Sequence, residues 1–92
     1  MKSISMIYNQ RKVIFIGNLI FSKELLNMVF LNKKFKVVGI ISKNKSLYNS
    51  DQFSLKKTAK SKRIKYFNYT KKNKNKMKIF IKNLKPDYIF CF

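Results

Sequence analysis

Three short apolar runs interrupt this lysine-rich chain, and none of them alternates. They are Val13-Ile14-Phe15-Ile16, ending at Gly17; Val37-Val38-Gly39-Ile40-Ile41; and Tyr88-Ile89-Phe90-Cys91-Phe92. A strand with one face in water alternates apolar and polar side chains. A continuous run marks a strand covered on both faces, as in a parallel sheet. Parallel neighbours need long crossovers, so helices are expected between the runs.

The intervening sequence carries them. Ser22 is a plausible N-cap, Glu24 suits the positive helix end, and Leu25, Leu26, Val29 and Phe30 form one apolar face that Lys33 and Lys34 close. Residues 42–53 are polar and rich in turn formers, and read as a long loop. Residues 54–62 form a short helix with Leu55 and Ala59 inward. Residues 64–69 alternate partly and suit a strand near a sheet edge. Met77, Phe80, Ile81 and Leu84 repeat at helical spacing, the cleanest amphipathic pattern here, and Pro86 stops it. The predicted order is β-α-β-α-β-α-β: an α/β, Rossmann-like open parallel sheet with right-handed crossovers. Residues 1–11 read as a flexible leader and residues 12–92 as one domain. If the sheet order is 3-2-1-4, the last strand is an exposed apolar edge, which favours association.

Composition narrows the chemistry. There is no histidine, which excludes His-based triads, His general bases and His metal ligands within these 92 residues. Cys91 is the single cysteine, so there is no internal disulfide, and the three acids Glu24, Asp51 and Asp87 are widely spaced. The free thiol fits a reducing cytoplasm. Cys91 is expected in the core and inert, and Asp87 is expected to cap or turn. No apolar run reaches membrane-spanning length, so no membrane partner is expected.

Twenty-two basic residues against three acids give a formal charge of +19. Non-specific polyanion binding follows from that alone. Twenty of the 22 are Lys and two are Arg. Arg is the preferred fork for phosphate and guanine, and A/T-rich coding produces a lysine-painted surface without any nucleic-acid role. A small basic α/β nucleic-acid-binding module is the alternative reading of function. Lys65-Tyr66-Phe67-Asn68-Tyr69 imitates a base-stacking platform, though the same residues suit a strand.

In open α/β sheets ligands sit at the carboxyl ends of the strands. The first such turn, Gly17-Asn18-Leu19-Ile20-Phe21-Ser22, lacks the G-x-G-x-x-G of a dinucleotide site. Asn18 and Ser22 there, and Lys43 and Lys45 after the second strand, are the candidate substrate-loop residues. Each also has a plainer role as turn, cap or solvated loop. No catalytic and no metal-ligating residue is assigned.

Taken in order, Arg11-Lys12-Val13-Ile14-Phe15-Ile16-Gly17-Asn18 with Phe21-Ser22-Lys23-Glu24-Leu25-Leu26, then Phe35-Lys36-Val37-Val38-Gly39-Ile40-Ile41-Ser42-Lys43, a short helix at Leu55 to Lys60, Ile64-Lys65-Tyr66, and Leu84-Lys85-Pro86-Asp87-Tyr88-Ile89-Phe90 resemble the N-terminal half of the 10-formyltetrahydrofolate-dependent formyltransferases. That family includes methionyl-tRNA formyltransferase and the nucleotide-sugar formyltransferases. The resemblance spans Lys12 to Phe92 and implies the incomplete half of a doubly wound formyltransferase domain. It implies that the complete enzyme moves a formyl group from 10-formyltetrahydrofolate to an amine of a sugar nucleotide or an aminoacyl-tRNA. The family's catalytic Asn, His and Asp, and most folate contacts, follow its fourth strand, so none carries over to a residue here. The chain is expected to be inactive alone; it reads as a truncated gene, a fragment, one piece of a split enzyme with a complementary C-terminal chain as partner, or a non-functional relic. The family loop after strand two contacts tRNA in the methionyl-tRNA branch, and Lys43 and Lys45 fall there.

Overall fold

A computed structural model describes residues 10–17, 22–43 and 49–91; the side chains of Lys43 and of residues 49–54 lie outside the description. Four strands, β1 (Arg11–Gly17), β2 (Phe35–Lys43), β3 (Lys65–Tyr69) and β4 (Tyr88–Cys91), alternate with three helices, α1 (Ser22–Leu31), α2 (Asn49–Ser61) and α3 (Lys74–Leu84). A 3₁₀ turn at Lys71–Asn73 leads into α3. All pairings are parallel, and the sheet order is β3-β2-β1-β4. The fold is therefore α/β and Rossmann-like, as the continuous apolar runs predict.

Two boundaries differ from expectation. Arg11 is not leader but the first residue of β1, and its amide donates to the Lys34 carbonyl at 2.9 Å. The expected 42–53 loop is shorter, because β2 runs on to Lys43 and α2 starts at Asn49. Asn, Ser and Asp favour turns and caps, so the first turn of α2 has loop-like composition. Its helical pattern becomes visible only at Leu55.

Alternation along β1 divides the molecule. Val13 and Phe15 are fully buried on one face, where Phe15, Val37 and Ile40 pack with Leu26 and Val29 of α1 and Leu55 and Ala59 of α2. Ile14 points to the other face, where it approaches Gly39 together with Phe80 and Leu84 of α3. A register shift between Val13 and Ile14 absorbs one extra β2 residue, so Val13 pairs with Val37 and Ile14 with Gly39. The half-buried Met77, Phe80, Ile81 and Leu84 are the inward side of α3. Phe80 meets Phe67 of β3 at 5.3 Å between ring centroids. The helices thus cover both faces, as continuous apolar strands require.

Local chemistry fixes the ends. Arg63 takes φ 57° after α2. The Ile64 amide donates to the Ala59 carbonyl at 2.8 Å and the Arg63 amide to the Lys60 carbonyl at 3.2 Å. This is a Schellman cap built on a non-glycine residue. Lys85 closes α3 in the same left-handed region at φ 48°, and Pro86 forbids continuation. At the head of β4, the Asp87 amide donates to the Lys12 carbonyl and the Lys12 amide donates to Asp87 Oδ2, both at 2.7 Å. Asp87 is a clasp between β4 and β1, in keeping with a turn residue.

β4 departs from its sequence. Its apolar run implies burial on both faces, yet Tyr88 is 50% and Ile89 47% exposed, and Cys91 is exposed. The expectation of a core Cys91 is therefore wrong. β4 is an edge strand, paired with β1 alone among the described residues, and Ile89 and Cys91, opposite Ile14 and Ile16, stand on the α3 side. On the other side, Phe90 meets Phe35 edge-on at 5.1 Å and stacks with Tyr88 at 6.4 Å. β3, the opposite edge, carries exposed Lys65 and polar Asn68, the protection that β4 lacks.

Candidate functional site

The parallel strands point one way, so Gly17, Lys43, Tyr69 and Cys91 end together at the carboxyl edge of the sheet. This is where ligands sit in open α/β sheets. Of the sequence candidates, Asn18 and Lys45 lie outside the described residues. Lys43 is the last residue of β2, paired with Tyr69; its side chain is not described. Ser22 is described and is fully buried as the first residue of α1.

Ser22 is held against the strand end by Gly17. A Cβ at Gly17 would lie 2.7 Å from Leu55 Cδ1 and 2.9 Å from both Cβ and Oγ of Ser22. These are closer than side chains tolerate, so the glycine lets α1 and α2 meet over the end of β1. The single glycine thus has a packing role here, as befits a turn lacking the dinucleotide glycines.

Sequence reasoning missed the polar groups beside it. Ser42, 1% exposed, shares a hydrogen bond with the Tyr66 hydroxyl. Parallel register sets Ser42 opposite Asn68 and Ile40 opposite Tyr66, so the two hydroxyls meet diagonally across β2 and β3. Further along, Asn73 Nδ2 donates to the Asn68 carbonyl at 2.8 Å, and the Thr70 amide donates to Asn73 Oδ1 at 2.7 Å. One amide side chain therefore ties the exit of β3 to the start of α3. The signal for these pairs lies in register, which residue spacing alone does not give.

The base-stacking appearance of residues 65–69 resolves into strand packing. Tyr66 turns to Ser42 and Phe67 to Phe80. Asp87 belongs to the opposite, amino end of the sheet, beside Lys12. Among the described residues no three His, Cys, Asp or Glu side chains converge as metal ligands, and no buried side-chain nitrogen or oxygen lacks a hydrogen-bond partner. No helix among them is long and apolar enough to cross a membrane.

Comparison with known proteins finds no matching family model, no matching curated protein and no matching solved structure.

Proposed function

We propose that this chain is the N-terminal, Rossmann-like half of a formyltransferase domain, whose activity requires a completing segment. The joint unit would transfer a formyl group from 10-formyltetrahydrofolate to an amine of a sugar nucleotide or an aminoacyl-tRNA. The observation that carries this reading is the sheet order β3-β2-β1-β4. It puts the Lys85-Pro86-Asp87 head of β4 against the start of β1 and leaves the outer side of β4 unpaired among the described residues. A further strand added there would cover the exposed Tyr88, Ile89 and Cys91.

The described residues at the carboxyl edge do not by themselves fit the folate. Ser22 and Ser42 are buried, Tyr66 and Asn73 are engaged in internal hydrogen bonds, and among the described residues no buried side-chain nitrogen or oxygen lacks a partner. Folate binding is assigned to the completing segment. So is proton transfer, because these 92 residues contain no histidine. The present chain contributes the platform: the β1 turn, the β2 exit and the edge on which the catalytic half assembles.

The test is reconstitution. The chain is mixed with a separately produced polypeptide carrying the catalytic Asn-x-His and Asp half of a formyltransferase. Formyl transfer to methionyl-tRNA or to an amino-sugar nucleotide is then followed. The expected result is transfer by the mixture and none by the chain alone. An associated mixture that transfers no formyl group to either acceptor overturns the reading.

A further inference from the structure

The positive charge is not spread evenly over the folded surface. Residues 71–85 hold seven lysines and no acid. Five of them, Lys71, Lys74, Lys78, Lys82 and Lys85, follow one another at steps of three, four, four and three residues, and all five are exposed. At about 120° per residue through the 3₁₀ turn and about 100° through α3, Lys71, Lys74, Lys78 and Lys82 fall within a sector of about 80° along one flank; Lys85 follows at the left-handed C-cap, outside the helical phase. From Lys71 to Lys82 the row is roughly 18 Å long, with a charge about every 6 Å. α1, on the other face of the sheet, is the contrast. Its charged residues are Lys23 and Glu24, and its exposed surface includes Met28 and Leu31, 65% and 82% accessible. A uniform coding bias toward lysine does not predict this difference between two surface helices.

We propose that the lysine row of α3 is a track for the phosphodiester backbone of a nucleic acid, bound without regard to sequence. This inference does not depend on the formyltransferase reading. A straight, evenly spaced line of ammonium groups matches a polymer with regularly repeating negative charge. Lysines are point charges without the planar fork that reads guanine, so they position a backbone and specify no base. A lipid bilayer is a poorer fit. The apolar side of α3 is turned to the sheet, and Ile79 is the one large apolar side chain that the helix exposes, too little for an interfacial helix. The nearest acid in sequence, Asp87, is occupied with the Lys12 amide. Glu24 lies on the opposite face of the sheet.

The test holds net charge constant and moves the neutralised positions. One full-length variant carries Lys71→Gln, Lys74→Gln, Lys78→Gln, Lys82→Gln and Lys85→Gln. The other carries Lys23→Gln, Lys33→Gln, Lys34→Gln, Lys56→Gln and Lys60→Gln, also exposed positions. Both have five fewer charges than the parent. Circular dichroism establishes that each is folded. Fluorescence anisotropy then follows binding of a random-sequence duplex DNA and a single-stranded RNA from 50 to 300 mM salt. The proposal expects saturable binding by the parent at 150 mM salt. The row variant should lose about a hundredfold in affinity, its log–log salt slope on duplex falling by about 4, at about 0.9 per phosphate contact. The scattered variant should keep most of both. Equal losses in the two variants overturn the proposal, since charge anywhere would then suffice. Row-dependent binding to phosphatidylserine vesicles with none to either nucleic acid also overturns it, assigning the row to a membrane surface.

Discussion

Gly17 and Gly39 are the two positions where a missing Cβ is used, and the neighbours of each decide what a methyl group would cost. At Gly39 the nearest atom is Leu84 Cδ1 at 2.7 Å, the tip of a side chain that can rotate; Phe80 Cε2 and Ile14 Cγ1 follow at 3.3 and 3.4 Å. At Gly17 the new methyl would also meet Ser22 Cβ at 2.9 Å, an atom fixed to the helix backbone. Gly17→Ala should therefore destabilise by about 1–3 kcal/mol, as overpacking does. Gly39→Ala should fall within about 1 kcal/mol of neutral, because the stiffer unfolded chain offsets part of the crowding. Urea unfolding of the two variants checks the ordering. Arg63 gives the opposite sign. Its left-handed φ of 57° strains a side-chain-bearing residue, so Arg63→Gly should raise stability by about 1 kcal/mol in the same assay. The sequence makes Gly17 legible as a turn, but not its contact with Leu55, which lies on another helix. Nothing local to Arg63 announces a left-handed residue, because a glycine is the usual sign of one.

The elements separate into those that local pattern specifies and those that their neighbours define. The i, i+3, i+4, i+7 spacing of Met77 to Leu84 places α3 within a few residues, and β1 and β2 follow from their continuous apolar runs. The start of α2 is hidden because Asn49, Ser50 and Asp51 look the same in a loop and in a first helical turn. β4 is the instructive case. Its four residues have the composition of a central strand, yet the 3-2-1-4 order makes it the exposed edge expected of that order; Cys91 changes from core thiol to exposed thiol for that reason. An uncharged edge should associate. Light scattering should show self-association that grows with added salt, as repulsion between copies of formal charge +19 is screened, and Ile89→Lys should suppress it. A salt-independent monomer would contradict this account of the edge. The Asp87 clasp is the other device at β4. Asp87→Ala removes a carboxylate acceptor from the Lys12 amide and should cost about 1 kcal/mol at this solvent-accessible site.

For the whole molecule, the parallel α/β class and the 3-2-1-4 order expected of it are both realised. Of the candidate site, less is legible. Ser22 is placed and buried, Lys43 is placed as a strand end, and Asn18 and Lys45 lie outside the described residues. The Ser42–Tyr66 pair emerges only once strands are in register. Charge tells a similar story. The total is evident from composition, but its concentration along α3 and near-absence from α1 needs both the helical phase and the faces of the sheet. The central claim is that the outer side of β4 is the seam at which a catalytic half is added. Amide hydrogen exchange tests it most directly, measured on the chain alone and after addition of the formyltransferase catalytic half. The account predicts that the outward amides of Tyr88 to Cys91 exchange faster than those of Val13 to Ile16 in the chain alone, and become protected on addition. Outward β4 amides that remain as open in the mixture as in the chain alone would contradict it.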